Sequence, residues 1–160
     1  MRLGITGHQR LEDPTAWAWV ANCLAAVLSE AEPPIVGITS LAIGADQLFA
    51  SLVVHHGGRI HVIMPFAGYE RTFDEEHLDT YRNLLAKAVF AEILPKLGTD
   101  QEAFLAAGKR VVELSDLMVA VWNGQPAKGR GGTGDIVAFA TERRVPLVHI
   151  NPSDRTVIRT

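Results

Sequence analysis

Residues 117–122 read Leu-Met-Val-Ala-Val-Trp, an apolar run with no polar residue at alternate positions. A strand with one face in water alternates apolar and polar side chains. An unbroken run belongs to a strand covered on both faces, as in a parallel sheet flanked by helices. Similar short runs occur at residues 2–6, 35–39, 60–64 and 146–150, and at 89–94, where Pro95 cuts the run short.

Helical patterns separate these runs. Asp13 can cap and Pro14 suits the first position of a helix whose apolar residues Trp17, Val20, Leu24, Val27 and Leu28 recur at helical spacing until Pro33-Pro34. Further helices are predicted over about 45–55, ending at Gly57-Gly58, over about 75–87, and from the capping box Thr99-Asp100-Gln101-Glu102 onward. The apolar face of that last helix comprises Phe104, Val111, Val112 and Leu114, and a final helix covers about 133–144. The alternation specifies one α/β domain over residues 1–160, a three-layer sandwich with a mostly parallel sheet of five or six strands and helices on both faces. Its core spans about 1–150, and the polar tail from Pro152 reads as loose.

Hydrophobic residues at 48% are enough for such a core, and a net charge of −3 provides no electrostatic footprint for general nucleic-acid binding. The single Cys23, among Ala, Val and Leu, reads as a small buried hydrophobe. The N-terminal MRLGITGH lacks the apolar run of a signal peptide and no stretch approaches a membrane span, so a cytoplasmic location is expected. His55, His56, His61, His77 and His149 show no metal spacing, and no metal site is expected.

Handedness of the crossovers brings every strand-to-helix loop to one sheet edge, where open α/β sheets take their ligands. The opposite connections are plain. This edge collects Thr6-Gly7-His8-Gln9-Arg10, then Thr39-Ser40 to Gly44-Ala45-Asp46, then Pro65 to Tyr69-Glu70-Arg71, and finally Asn123 to Asp135. The strongest element is Gly129-Arg130-Gly131-Gly132-Thr133-Gly134-Asp135, running straight into a helix beside Lys128. Glycines admit a ligand close to the backbone, and the first amides and dipole of the helix favour a phosphate or carboxylate. A loose glycine loop with a Thr or Asp cap is the alternative. The run is neither a Walker loop nor a dinucleotide fingerprint.

Around it, Gly7, His8 and Gln9 can close on the same ligand, His8 through an orienting hydrogen bond rather than as acid or base. Ser40 and the Gly44-Ala45 turn offer a second phosphate contact. Asp46 reads as a first-turn residue matched to the dipole. Trp122, followed by Asn123, either stacks on a base or lies in the core. Tyr69 and Arg71 can meet a base or phosphate.

Three segments together carry a family resemblance. Ser40-Leu41-Ala42-Ile43-Gly44-Ala45-Asp46 resembles the Ser-Gly-x-Ala-x-Gly-x-Asp signature of the DNA-processing protein A (Smf) family. Gly131-Gly132-Thr133 resembles the glycine motif of the Lonely Guy phosphoribohydrolases, and Ile5-Thr6-Gly7-His8 with Ser115-Asp116 to Asn123-Gly124 looks like small members of the SLOG superfamily that unites the two. The resemblance runs from Leu3 to Ile150 and implies a Rossmann-like fold with a pocket for nucleotides or nucleotide-derived signals. Ala138 stands where the Lonely Guy enzymes carry the glutamate of N-glycosidic hydrolysis, leaving Asp135 or Glu70 as catalytic candidates.

The expectation is therefore a sensor or carrier of a phosphorylated nucleoside-type ligand that requires no cofactor. Hydrolysis of a nucleoside monophosphate, with Arg71 or Arg130 on the phosphate, is the alternative. Single-stranded DNA is disfavoured by the acidic balance, and a homodimer through exposed helices is compatible with the fold.

Overall fold

The computed structural model describes residues 1–126 and 132–160. In chain order it comprises β1 (Arg2–Gly7), α1 (Ala16–Glu30), β2 (Val36–Thr39), α2 (Ala45–His55) and β3 (Arg59–Met64). A single 3-10 turn (Tyr69–Thr72) precedes α3 (Glu75–Leu85) and β4 (Phe90–Ile93). The chain continues with α4 (Asp100–Leu114), β5 (Leu117–Val121), α5 (Thr133–Glu142), β6 (Leu147–Asn151) and β7 (Thr156–Arg159).

The strands form one sheet in the order β4-β3-β2-β1-β5-β6-β7, parallel throughout except for β7. The apolar run of β5 divides between two cores. Val119 and Val121 pack with α1, α2 and α3, whereas Met118 and Ala120 pack with α4 and α5. Burial on both faces is what removed polar alternation from the strand. Close approach does the rest: a Cβ on Gly4 of β1 would lie 2.2 Å from Ser115 Oγ and 2.4 Å from Met118 Sδ.

Two expectations are corrected. The sheet has seven strands rather than five or six, because the supposedly loose tail forms β7, antiparallel to β6. The buried Asn151 explains the reversal: its Oδ1 accepts the amides of Ser153 (2.9 Å) and Asp154 (3.3 Å), fixing a turn that returns the chain along the open edge of β6. The start of α1 also differs. Thr15 occupies the cap position, and Asp13 acts two residues earlier by accepting the Thr15 amide at 3.0 Å and hydroxyl at 2.6 Å. The capping box on α4 forms as read, with Thr99 and Glu102 each accepting the other's amide.

Candidate ligand-binding cleft

From β1 the chain adds β2, β3 and β4 on one side, then returns to place β5 and β6 on the other. The loops after β1 and β5 therefore diverge at the carboxyl edge, the point at which open α/β sheets form a crevice. A cleft of about 940 Å³ lies there, with walls from the loops after β1, β2, β3, β5 and β6.

The β1 loop is held tightly. A Cβ on Gly7 would stand 2.5 Å from Ala45 Cβ and 2.9 Å from Val121 Cβ, so the strand end touches α2 and β5 directly. The His8 amide donates to the Val121 carbonyl at 3.0 Å, and its ring Nε2 accepts the Asn123 amide at 3.1 Å. Because that amide must meet a lone pair, the ring proton sits on Nδ1. His8 thus ties β1 to β5 and still lines the cleft.

The loop after β2 satisfies itself. The Ala45 amide donates to the His8 carbonyl at 3.2 Å. Asp46, 6% exposed, accepts the Thr39 hydroxyl and the Ser40 amide, each at 3.0 Å, and the Ala42 amide is also directed at it. The second phosphate contact anticipated at Ser40 and the Gly44-Ala45 turn is therefore taken up by the protein's own carbonyl and carboxylate. Ser40 and Asp46 line the cleft; Gly44 sits behind it, under the backbone of His8 and Gln9.

Burial pushes the Asp46 carboxyl up from its usual value to about 6, against the opposing pull of the Thr39, Ser40 and Ala42 hydrogen bonds. Between pH 4 and 6 the folded chain then holds a proton that the unfolded chain has lost, so stability falls as pH rises through that window. The whole drop attributable to this group is on the order of 3 kcal/mol, nearly complete by pH 7, and about 2 kcal/mol of it falls between pH 4.5 and 7.5. Denaturant titrations at pH 4.5 and 7.5 should show it in the wild type and not in Asp46→Asn. Equal pH dependence in the two proteins would refute the assignment.

On the β3 side, Tyr69 is buried in a ring cluster with Phe66, Phe73 and Tyr81, at centroid distances of 6.0, 5.0 and 5.6 Å, and burial raises its phenol pKa. Its neighbours turn outward. Glu70 is exposed and pairs with Arg82 at 3.4 Å, while Arg71 lies against Gly68. Neither Glu70 nor Arg71 is brought to the cleft, nor is Asp135 among the lining residues.

Trp122 lies partly buried against His149, with ring centroids 5.2 Å apart, and its indole N–H donates to the Gln125 carbonyl at 2.8 Å. Asn123 Oδ1 accepts the Gln125 amide at 3.1 Å. Both residues line the cleft, together with Gly132, Thr133 and Gly134 at the start of α5. Gly132 occupies the N-cap, its carbonyl accepts the amides of Asp135 (3.1 Å) and Ile136 (3.4 Å), and among the described residues no side chain caps the amides of Thr133 and Gly134. Arg130 and Gly131, with Lys128 and Gly129, lie outside the described residues.

Arg10, read from the sequence as part of the β1 loop at this edge, lines the cleft, whereas sequence reasoning missed Phe104 and the turn Pro152–Arg155 as parts of this wall. Phe104 was assigned to the core but is 37% exposed. Arg155 was hidden in the tail, and the only signal for it was the Asn-Pro-Ser-Asp turn composition at 151–154.

Among the described residues no helix is long and apolar enough to cross a membrane. No protein-family model matches the chain, and no curated protein does. Solved structures do. DNA processing protein A from Streptococcus pneumoniae aligns over 92% of this chain and 49% of its own, with a TM-score of 0.66 and 14% identity. DNA processing protein A from Helicobacter pylori, a structure described for its mode of binding single-stranded DNA, aligns over 93% of this chain and 64% of its own, with a TM-score of 0.67 and 15% identity. The chain thus spans about half to two thirds of the length of these proteins. What it shares with them is a Rossmann-like α/β fold.

Proposed function

We propose that the chain binds a phosphorylated nucleotide or nucleotide derivative, with a phosphate at the first amides of α5 and the nucleoside along the cleft. One observation carries the reading: the start of α5, with no side-chain cap among the described residues, lines the cleft at the β1–β5 switch point. The lining suits the other half of such a ligand. Pro65, Phe104, Ala107 and Ile136 form an apolar wall beside α5, and Ile136 lies one turn into that helix. A sensor or carrier role is favoured over hydrolysis, because Glu70 and Asp135, the carboxylates proposed for N-glycosidic cleavage, do not line the cleft.

Thermal shift with a panel of nucleoside mono- and diphosphates tests this. A ligand present at about a hundred times its Kd stabilises by about 2.7 kcal/mol. For a domain of this size that raises Tm by roughly 5–10 °C. No shift with any phosphorylated nucleoside would remove the proposal.

A second reading draws on the Helicobacter pylori structure, described as binding single-stranded DNA. It weakens the expectation against nucleic acid drawn from the net charge of −3, since a strand meets the local field of the cleft rather than the whole surface. Arg10 and Arg155 both line that cleft. Oligonucleotide binding that weakens with salt would favour this reading.

A further inference from the structure

The β6–β7 turn presents Arg155 to the cleft with unusual care. Asn151, 7% exposed, pins the turn through both ends of its amide, donating to Asp154 Oδ2 at 3.2 Å as well as accepting the two amides described above. Arg155 itself adopts the left-handed conformation, φ 54°, which a non-glycine residue takes at a cost. Its guanidinium stands 5.6 Å over the Trp19 ring, and Nη2 lies 3.4 Å from Asp13 Oδ2.

That ion pair is a weak one. Both side chains are about half exposed, so water screens the pair. Asp13 already accepts both the amide and the hydroxyl of Thr15, and these bonds, more than Arg155, hold its carboxyl below the usual range. Arg155 is therefore a cleft-lining residue whose guanidinium stacks on an aromatic ring and is loosely engaged by Asp13, itself a lining residue. Its planar fork suits a phosphoryl group.

We infer that Arg155 forms a second anion subsite in the cleft, one that takes a further phosphoryl group of the ligand in exchange for Asp13. The inference rests on the reading of α5 as the first phosphate site. It narrows the ligand to one with two phosphoryl groups, either adjacent, as in a nucleoside diphosphate, or one nucleotide apart, as in a dinucleotide.

The test is calorimetric titration of the full chain with three probes that share the base giving the largest thermal shift: the nucleoside 5′-monophosphate, the 5′-diphosphate, and a 5′-phosphorylated dinucleotide. In the wild type at least one two-phosphate probe should bind about tenfold more tightly than the monophosphate, and which one does so identifies the spacing. Arg155→Gln should abolish that advantage while weakening monophosphate binding far less than it weakens the two-phosphate probe. Asp13→Asn should increase it about threefold, because the competitor for the guanidinium is weakened. A merely structural latch would make both variants shift binding in the same direction, and that result would overturn the inference. So would equal affinity of the wild type for one- and two-phosphate probes. If no probe binds, the reading of α5 fails and the second subsite fails with it. A monophosphate that binds with no effect of Arg155→Gln on any probe sinks the second subsite alone.

Discussion

Gly44→Ala, just behind the cleft, is expected to lower the melting temperature by roughly 6–12 °C. Gly44 has φ 86° and ψ −118°, a conformation open to little but glycine. An added Cβ would lie 2.5 Å from the Gln9 carbonyl oxygen, 2.6 Å from that of His8 and 2.7 Å from Gln9 Cα. These are backbone atoms, and they are anchored. The His8 carbonyl accepts the Ala45 amide, and the His8 amide donates to Val121. The methyl group can be accommodated only by breaking one of those bonds or by lifting the β1 loop, at about 3 kcal/mol or more once backbone strain is added. Gly57→Ala supplies the comparison. Its φ is 75°, yet nothing lies within 4 Å of the added Cβ, so it carries conformational strain without the clash and should cost about 1 kcal/mol. Calorimetric melting of both variants measures the difference. Equal losses would mean that the loops after β1 and β2 are not packed on each other as described.

The same contact explains where reading the sequence succeeds and where it stops. Strand positions, helix periodicity and the Thr99–Glu102 capping box are local patterns, written within a few residues, and the structure realises them, although β4 lies at the sheet edge with Phe90 and Ile93 exposed and Phe104 on α4 is exposed as well. The collection of unusual residues at one sheet edge follows from the handedness of the crossovers, so Gly7, His8, Ser40, Trp122, Asn123 and Gly132 to Gly134 do meet around a single cleft. Which loop keeps its amides open is a different matter, because it depends on partners far along the chain. The starts of α2 and α5 look alike as sequence: glycine, small residues, then an acid. Only the fold puts the His8 carbonyl on the Ala45 amide, thirty-seven residues away, and only burial turns Asp46 inward onto Thr39 and Ser40. The turn that presents Arg155 is invisible for the same reason, since its value comes from Asp13 and Trp19 at the other end of the chain.

The contrast between the two helix starts leads to a substitution whose two readouts should move in opposite directions. Gly132→Asp should reduce nucleotide affinity at least a hundredfold, about 2.7 kcal/mol, while leaving the melting temperature unchanged or slightly raised. Gly132 is the N-cap of α5 with φ −73° and ψ 169°, extended backbone that any residue adopts without strain. Aspartate is among the best N-cap residues, and its carboxylate accepts the amides of the first turn, adding a few tenths of a kcal/mol over glycine. Those are the amides assigned to the ligand phosphate. The variant would thus do at α5 what the His8 carbonyl does at α2, occupying a first-turn amide, here with a negative charge that also repels a phosphate. Gly132→Ala controls for the space a side chain needs, since it adds a Cβ but no acceptor and should keep most of the affinity. Titration calorimetry and thermal melting of the three proteins decide the question. Undiminished binding by Gly132→Asp would place the ligand elsewhere in the cleft. A large loss in Gly132→Ala as well would trace the effect to bulk rather than to competition for the amides.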